Sequence, residues 1–318
     1  MVRIFYREGL IIRSYQLEDI NNHIESNQSI LWLDVFDPSQ EEINWIVSNF
    51  KVEFPSLSER EDIEISSRYW EEEDSITINT FFLIREQDNA FNETVSFILK
   101  RDYIITIRYR ELKTFSEFVR RLMTNPTVFK TGYHIFAGIM EIKVASDSDV
   151  LEGISKEISK LGKIVSTGSI DVTESVFESI SFYEDINMTI RESLIDKQRV
   201  LSSILKSYKL PNDVKEEIRI MIKDLNSLID YTKFNFERLN YLQNTFLGLL
   251  NIEQNKVIKI FTVLAMVFMP PTLIASIYGM NFEYIPELHF KYGYYVALVA
   301  MAFSATIPLI IFKKKGWL

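Results

Sequence analysis

The chain has 318 residues, 35 of them Lys or Arg against 44 Asp or Glu; the formal net charge of -9 disfavours a nucleic-acid partner and would concentrate cations. It has no cysteine, which excludes a disulfide framework and a thiolate metal centre. Its length allows about two domains.

The opening MVRIFYREGL has too short an apolar core for a signal peptide, so any membrane insertion rests on later segments. Residues 1–125 read as an α/β domain. Residues 2–6, 30–36, 75–84, 94–100 and 103–108 are short runs rich in β-branched and aromatic side chains. Asp37-Pro38-Ser39 before Glu41-Glu42 predicts a helix start capped by Ser39. Asp102-Tyr103 predicts a tight hairpin. The charged run from Ser58 to Glu64 reads as a solvated helix face, and Glu71-Glu72-Glu73-Asp74 as a solvated turn. His23, His134 and His289 are far apart and read as isolated surface or packed histidines. No Gly-rich phosphate loop, Ser-His-Asp set or His-Glu-x-x-His occurs, so neither an enzyme nor an organic cofactor is expected.

From about Leu112 the apolar spacing becomes helical, over residues 114–123, 128–165 and 172–209. Asn125-Pro126 interrupts the first run. Gly162 to Gly168 separates the next two, giving a helical hairpin over 126–209. Leu210-Pro211-Asn212-Asp213 ends it and caps a fourth helix, 210–278, that meets no strong breaker before Pro270-Pro271. Unbroken, this helix would span on the order of 100 Å and would need neighbours, from the hairpin or from copies of itself.

A first span covers about 257–278, with no charge from Ile260 to Tyr278, about enough to cross a bilayer core. At heptad spacing Asn255, Thr262, Met269 and Ser276 fall in one line, with Ile258, Ala265, Thr272 and Gly279 beside it. Two readings compete for this seam of small, polar or flexible residues: close helix packing in lipid, or the wall of a narrow, uncharged pore shared by several copies. The paired prolines suit a membrane helix held by partners. Residues 279–291 form a loop carrying Glu283 and Glu287 against Lys291. A second span, 292–312, lacks a sustained polar seam and reads as the lipid-facing one. Lys313-Lys314-Lys315, with Trp317 as an interfacial anchor, places the tail 313–318 in the cytoplasm, and Lys256 and Lys259 agree. Both termini are then inside and the loop outside.

Tyr278-Gly279-Met280-Asn281 resembles the YGMN signature of the CorA family of magnesium transporters. The likeness extends through Met269-Pro270-Pro271-Thr272, the loop from Asn281 to Leu288 and the tail from Lys313 to Leu318; it is sparse upstream. The resemblance implies a funnel-shaped homo-oligomer, a pentamer, whose stalk helices run from a cytosolic domain into the cell (inner or plasma) membrane. It implies channel-like uptake of hydrated magnesium, driven by membrane potential. Gly279, Met280 and Asn281 would be the selectivity filter. Asn255, Ile258, Thr262, Ala265, Met269, Thr272 and Ser276 would line the pore. The family also carries a Glu-Asp pair that binds regulatory magnesium between subunits, and Glu61-Asp62 resembles it. Near the position of its acidic stalk partner stands Ile220, with Asp224 one turn on and Glu217 one turn before; Asp147 and Asp149, in a loop-like stretch, are further candidates. A rival transporter of cobalt, nickel or zinc finds no soft ligand in the seam. A rival of another class is a membrane-anchored helical scaffold that conducts nothing.

Overall fold

The computed structural model describes residues 1–17, 29–55, 68–86, 89–167, 173–283 and 285–316. Two compact units emerge, Met1–Gln243 and Asn244–Leu318. The first is built on a seven-stranded sheet of β1 (Val2–Glu8), β2 (Ile11–Gln16), β3 (Ser29–Phe36), β4 (Tyr69–Glu71), β5 (Ile76–Glu86), β6 (Asn89–Leu99) and β7 (Ile104–Arg108), in the order β2-β1-β3-β7-β6-β5-β4. Every neighbouring pair is antiparallel except β3 and β7, which run parallel at the centre. The expected hairpin at Asp102-Tyr103 joins β6 to β7, with Lys100 N donating to Tyr103 O at 2.9 Å.

Alternation along the strands sorts their side chains onto two faces. One face, with Val2, Ile4, Leu33, Val35, Ile98, Ile105 and Ile107, is covered by α1 (Gln40–Phe50) through Ile46 and Phe50. The start of α1 follows the expectation. Ser39 Oγ accepts from Glu42 N at 3.2 Å, and the Glu42 carboxylate accepts from Ser39 N at 2.8 Å. Ser39→Ala is expected to cost about 1 kcal/mol, read as a lower urea midpoint in the fluorescence of Trp45 on the same helix.

The other face is aromatic. Phe5 stacks on Trp32 at 4.4 Å, and Trp32 meets Phe118 of α2 (Lys113–Thr124) edge-on at 5.5 Å. Phe97 meets Phe136 of α3 (Gly132–Thr167) at 5.2 Å. The first residue of α3 lies so close to the β6–β7 turn that a Cβ on Gly132 would stand 2.4 Å from the Tyr103 carbonyl oxygen, so only glycine fits. Within this layer Arg108 grips Asp34 through Nε at 3.1 Å and Nη2 at 2.8 Å, a buried bidentate pair tying β7 to β3.

Helix α4 (Thr173–Ile204) lies against β5, β6 and α3. Helix α5 (Asn212–Tyr278) starts in the first unit and continues into the second; a 3-10 turn (Pro286–His289) and α6 (Gly293–Lys314) complete the chain. The α/β unit, the long helix and the two apolar C-terminal helices are as the sequence predicts.

Four readings need correction. Strands β2 and β4 and the polar first half of β6 were not expected, because partners rather than composition recruit them. Helix α3 ends at Thr167, two residues past the expected 165, so the separation from α4 falls at the far end of the expected break from Gly162 to Gly168. Glu71 is not in a solvated turn: it ends β4 and accepts from the Tyr69 hydroxyl and the Ser207 hydroxyl, each at 2.9 Å, with Lys209 at 3.4 Å. Those donors hold the Glu71 carboxyl below the usual range against the opposing effect of burial.

The fourth concerns Asp147, which is neither in a loop nor free to bind metal. It is fully buried on α3, 2.7 Å from Lys143 Nζ and 3.0 Å from Lys197 Nζ of α4. Apolar neighbours one turn away in each direction turn that face of the helix inward. Asp149, also helical, is exposed.

Candidate functional site

Among the described residues α5 and α6 are the two helices long and apolar enough to cross a membrane, with mean hydropathies of 2.1 and 2.2 over an 18-residue stretch of each. Around α5 the burial is one-sided. Val263, Val267, Pro270, Ile274 and Tyr278 form a partly shielded line, whereas Asn255, Ile258, Thr262, Ala265, Met269, Thr272 and Ser276 are all exposed. At 100° per residue the two lines lie about 150° apart. The seam therefore faces away from the side that the unit itself covers.

The seam is not a bare apolar surface. Thr262 Oγ1 donates to the Ile258 carbonyl at 2.8 Å, and Thr272 Oγ1 to the Phe268 carbonyl at 2.7 Å. Each hydroxyl thus spends its proton inside the helix and keeps its lone pairs to accept from outside. A hydrated cation presents water hydrogens, which need acceptors of that kind. Helix α5 continues through Pro270 and Pro271, which supply no N–H to the carbonyls of Met266 and Val267. Beside the prolines Ala265, Met269, Thr272 and Ser276 line a shallow open groove flanked by Phe268 and Leu273.

The helix ends at the predicted motif. Gly279 N donates to the Ala275 carbonyl at 2.9 Å, and a Cβ on Gly279 would press within 3.1 Å of that same oxygen. Gly279, Met280 and Asn281 are exposed, with Asn281 beyond the last helical turn. Glu283 and Lys291 are exposed in the loop that follows. Lys313 and Lys314 occupy the last turn of α6 and Lys315 caps it, where cations suit the negative helix end.

The expected sensing residues are only partly brought together. Glu61 and Asp62 lie outside the described residues. Asp224 is exposed on α5, at a cleft it shares with Glu217, Ile220, Glu141 of α3 and Arg121 of α2. Arg121 pairs with Glu141 at 2.5 Å. Burial pushes the Glu217 carboxyl up, and the like charges of Glu141 and Asp213 add to this. Glu141 and Arg121 had no signal in sequence spacing; helix packing alone places them there. Among the described residues no group of three or more His, Asp or Glu is arranged to hold a metal ion. His134 is a packed histidine, bonded to Thr131 at 2.8 Å and to Asp213 at 3.2 Å.

A polar α/β unit carried on a helix that runs into two apolar helices, with a Gly-Met-Asn turn between those two, defines a two-span membrane protein. The chain belongs to the family described as CorA-like Mg2+ transporter protein, whose model matches residues 27–314. It is 44% identical, over the whole of both chains, to a protein of Wolinella succinogenes named Magnesium transport protein CorA. A protein of the same name from Campylobacter jejuni is 41% identical over 95% of this chain and 96% of its own. The fold is similar to that of the CorA magnesium transporter from Methanocaldococcus jannaschii, with a TM-score of 0.83 at 23% identity, covering 100% of this chain and 99% of that one.

Proposed function

We propose that the chain assembles as a pentamer around the α5 seam and admits hydrated magnesium through it, driven by the membrane potential. The observation that carries this reading is the exposed, uncharged, acceptor-bearing seam that ends at Asn281, in a chain whose relatives are named for magnesium transport. Magnesium gives up its water reluctantly. Asn281 amide oxygens and Gly279 carbonyls would bind its water shell without stripping it, strongly enough to admit the ion and weakly enough to release it. Below the filter Thr272, Thr262 and Asn255 offer further acceptors, and Met269 and Ile258 would close the path by dewetting. Moving a divalent ion inward gains about 4.6 kcal/mol per 100 mV of inside-negative potential, twice the single-charge value, which removes the need for an ATP site.

The tail Lys313-Lys314-Lys315 puts both termini in the cytoplasm by the positive-inside rule. Cytosolic magnesium bound between subunits, by Glu61 and Asp62 of one and by Asp224 of the next, would close the pathway. Such a ligand shifts the equilibrium because it binds one state better than the other. The seam lacks thiolate and imidazole, which favours magnesium over cobalt, nickel or zinc.

The test is uptake into liposomes holding the purified chain. Magnesium entry is expected to rise with an imposed inside-negative potential and to be blocked by cobalt hexammine, an inert mimic of the hydrated ion. A well-folded oligomer that admits no magnesium under potential, even with internal magnesium chelated, would establish the scaffold reading instead.

A further inference from the structure

A pocket of about 390 Å3 opens between β5 and α4 of the first unit. Its wall carries three guanidinium groups, of Arg68, Arg191 and Arg199, against the two carboxylates of Glu192 and Asp196. Among the described lining residues this is a local excess of positive charge, in a chain of net charge -9. Both carboxylates already hold hydrogen-bond donors of the fold. Asp196 Oδ2 accepts from the Thr80 hydroxyl at 2.7 Å and Phe81 N at 2.8 Å, and Glu192 accepts from Asn92 at 3.3 Å.

The arginines are held in three different ways. Arg68 is buried, with its guanidinium stacked over the Phe81 ring at 3.9 Å and Asp196 Oδ1 at 3.6 Å. Arg191 is oriented by α5: one of its nitrogens, Nη1, donates to the Ile229 carbonyl at 3.3 Å and the Thr232 hydroxyl at 3.2 Å. Arg199 stands exposed two turns further along α4 and forms no ion pair with the described residues. Met188 and Ile195 add apolar surface to the same wall.

Guanidinium forks match phosphate oxygens in a bidentate geometry, and a pocket of this size suits a ligand with both an anionic and an apolar part. We propose that this pocket binds a phosphate-bearing organic anion of mononucleotide size, its phosphates on Arg68, Arg191 and Arg199 and its apolar part on Met188 and Ile195. The site belongs to the first unit, whereas the seam residues belong to the second. Because Arg191 also holds α5, occupancy bears directly on the long helix.

The full-length protein, purified in detergent and dialysed free of magnesium, is titrated calorimetrically with ATP, sodium tripolyphosphate and citrate at one fixed salt concentration. Saturable ATP binding is expected, weakened about tenfold or more by Arg199→Gln and partly restored by Arg199→Lys; the exposure of Arg199 keeps folding out of the comparison. Arg191→Gln is expected to weaken binding as well. Tripolyphosphate binding as tightly as ATP supports the site with polyphosphate as its ligand, and weaker binding supports it with the nucleoside seated on the apolar wall. Absence of saturable ATP and tripolyphosphate binding, an affinity unchanged by Arg199→Gln, or citrate binding tighter than both would overturn the proposal.

Discussion

Asn281→Ala is expected to reduce potential-driven magnesium uptake by at least tenfold while leaving folding and assembly intact. Each amide that contacts the water shell of a divalent ion contributes on the order of 1.5–3 kcal/mol, so loss of even one contact is worth about that factor. Asn281 is exposed beyond the end of α5, where its truncation opens no cavity and breaks no packing. Asn281→Asp is the informative companion. In the proposed assembly it keeps an oxygen ring but adds negative charge, so tighter binding with slower release is expected, seen as saturation at lower magnesium and a lower maximal rate. Uptake and cobalt hexammine block that both survive Asn281→Ala would move selectivity down the seam to Thr272, and the filter assignment would fail.

The second large effect belongs to the buried triad of Lys143, Asp147 and Lys197. One carboxylate there serves two ammonium groups, all three side chains buried away from bulk solvent. Asp147→Ala is expected to cost about 3–5 kcal/mol, because removing one partner of a buried ion pair strands the other. Chemical denaturation followed by circular dichroism reads this as a fall in midpoint. Lys197→Met is expected to be neutral or stabilising, since it leaves one ammonium for one carboxylate and keeps the volume filled.

The pair also makes a pH prediction. Burial drives the Lys197 ammonium below its ordinary value of 10.5, with Asp147 opposing. The unfolded chain then holds more protons than the folded one between the depressed value and 10.5, so stability rises with pH through that window. The penalty is full below the window and gone above it. A wild type that gains stability as the pH rises toward 10.5, with the gain absent in Lys197→Met, is the expected outcome. Equal slopes in the two proteins would mean that Lys197 keeps its proton in the fold.

Much of the architecture was readable from local pattern. The cores of β1, β3, β5 and β7 announce themselves by β-branched alternation, and the capping box at Ser39 and Glu42 by residue type alone. The strands that were missed are those whose residues carry little preference of their own. Asn89-Ala90-Phe91-Asn92-Glu93 becomes strand because it lies opposite the second half of β5, residue for residue, and β4 because β5 overhangs it. Gly162, the first residue of the expected break from 162 to 168, lies inside the helix, since packing along a long helix outweighs the about 1 kcal/mol that a single glycine costs.

By itself the sequence determined the two apolar spans, the unbroken helix that leads into the first, the seam along it and the Gly-Met-Asn motif at its end. All of these are properties of consecutive residues, set by helical period and side-chain transfer energy. Only the tertiary structure decided that Asp147 is locked between two lysines, that Glu71 ties β4 to the turn after α4, that Glu141 and Arg121 join Asp224 and Glu217 at one cleft, and that three arginines share one pocket. A charged side chain reads as solvated until the chain brings another element over it. Its fate is set by what desolvates and pairs it, and those partners come from residues far away in sequence.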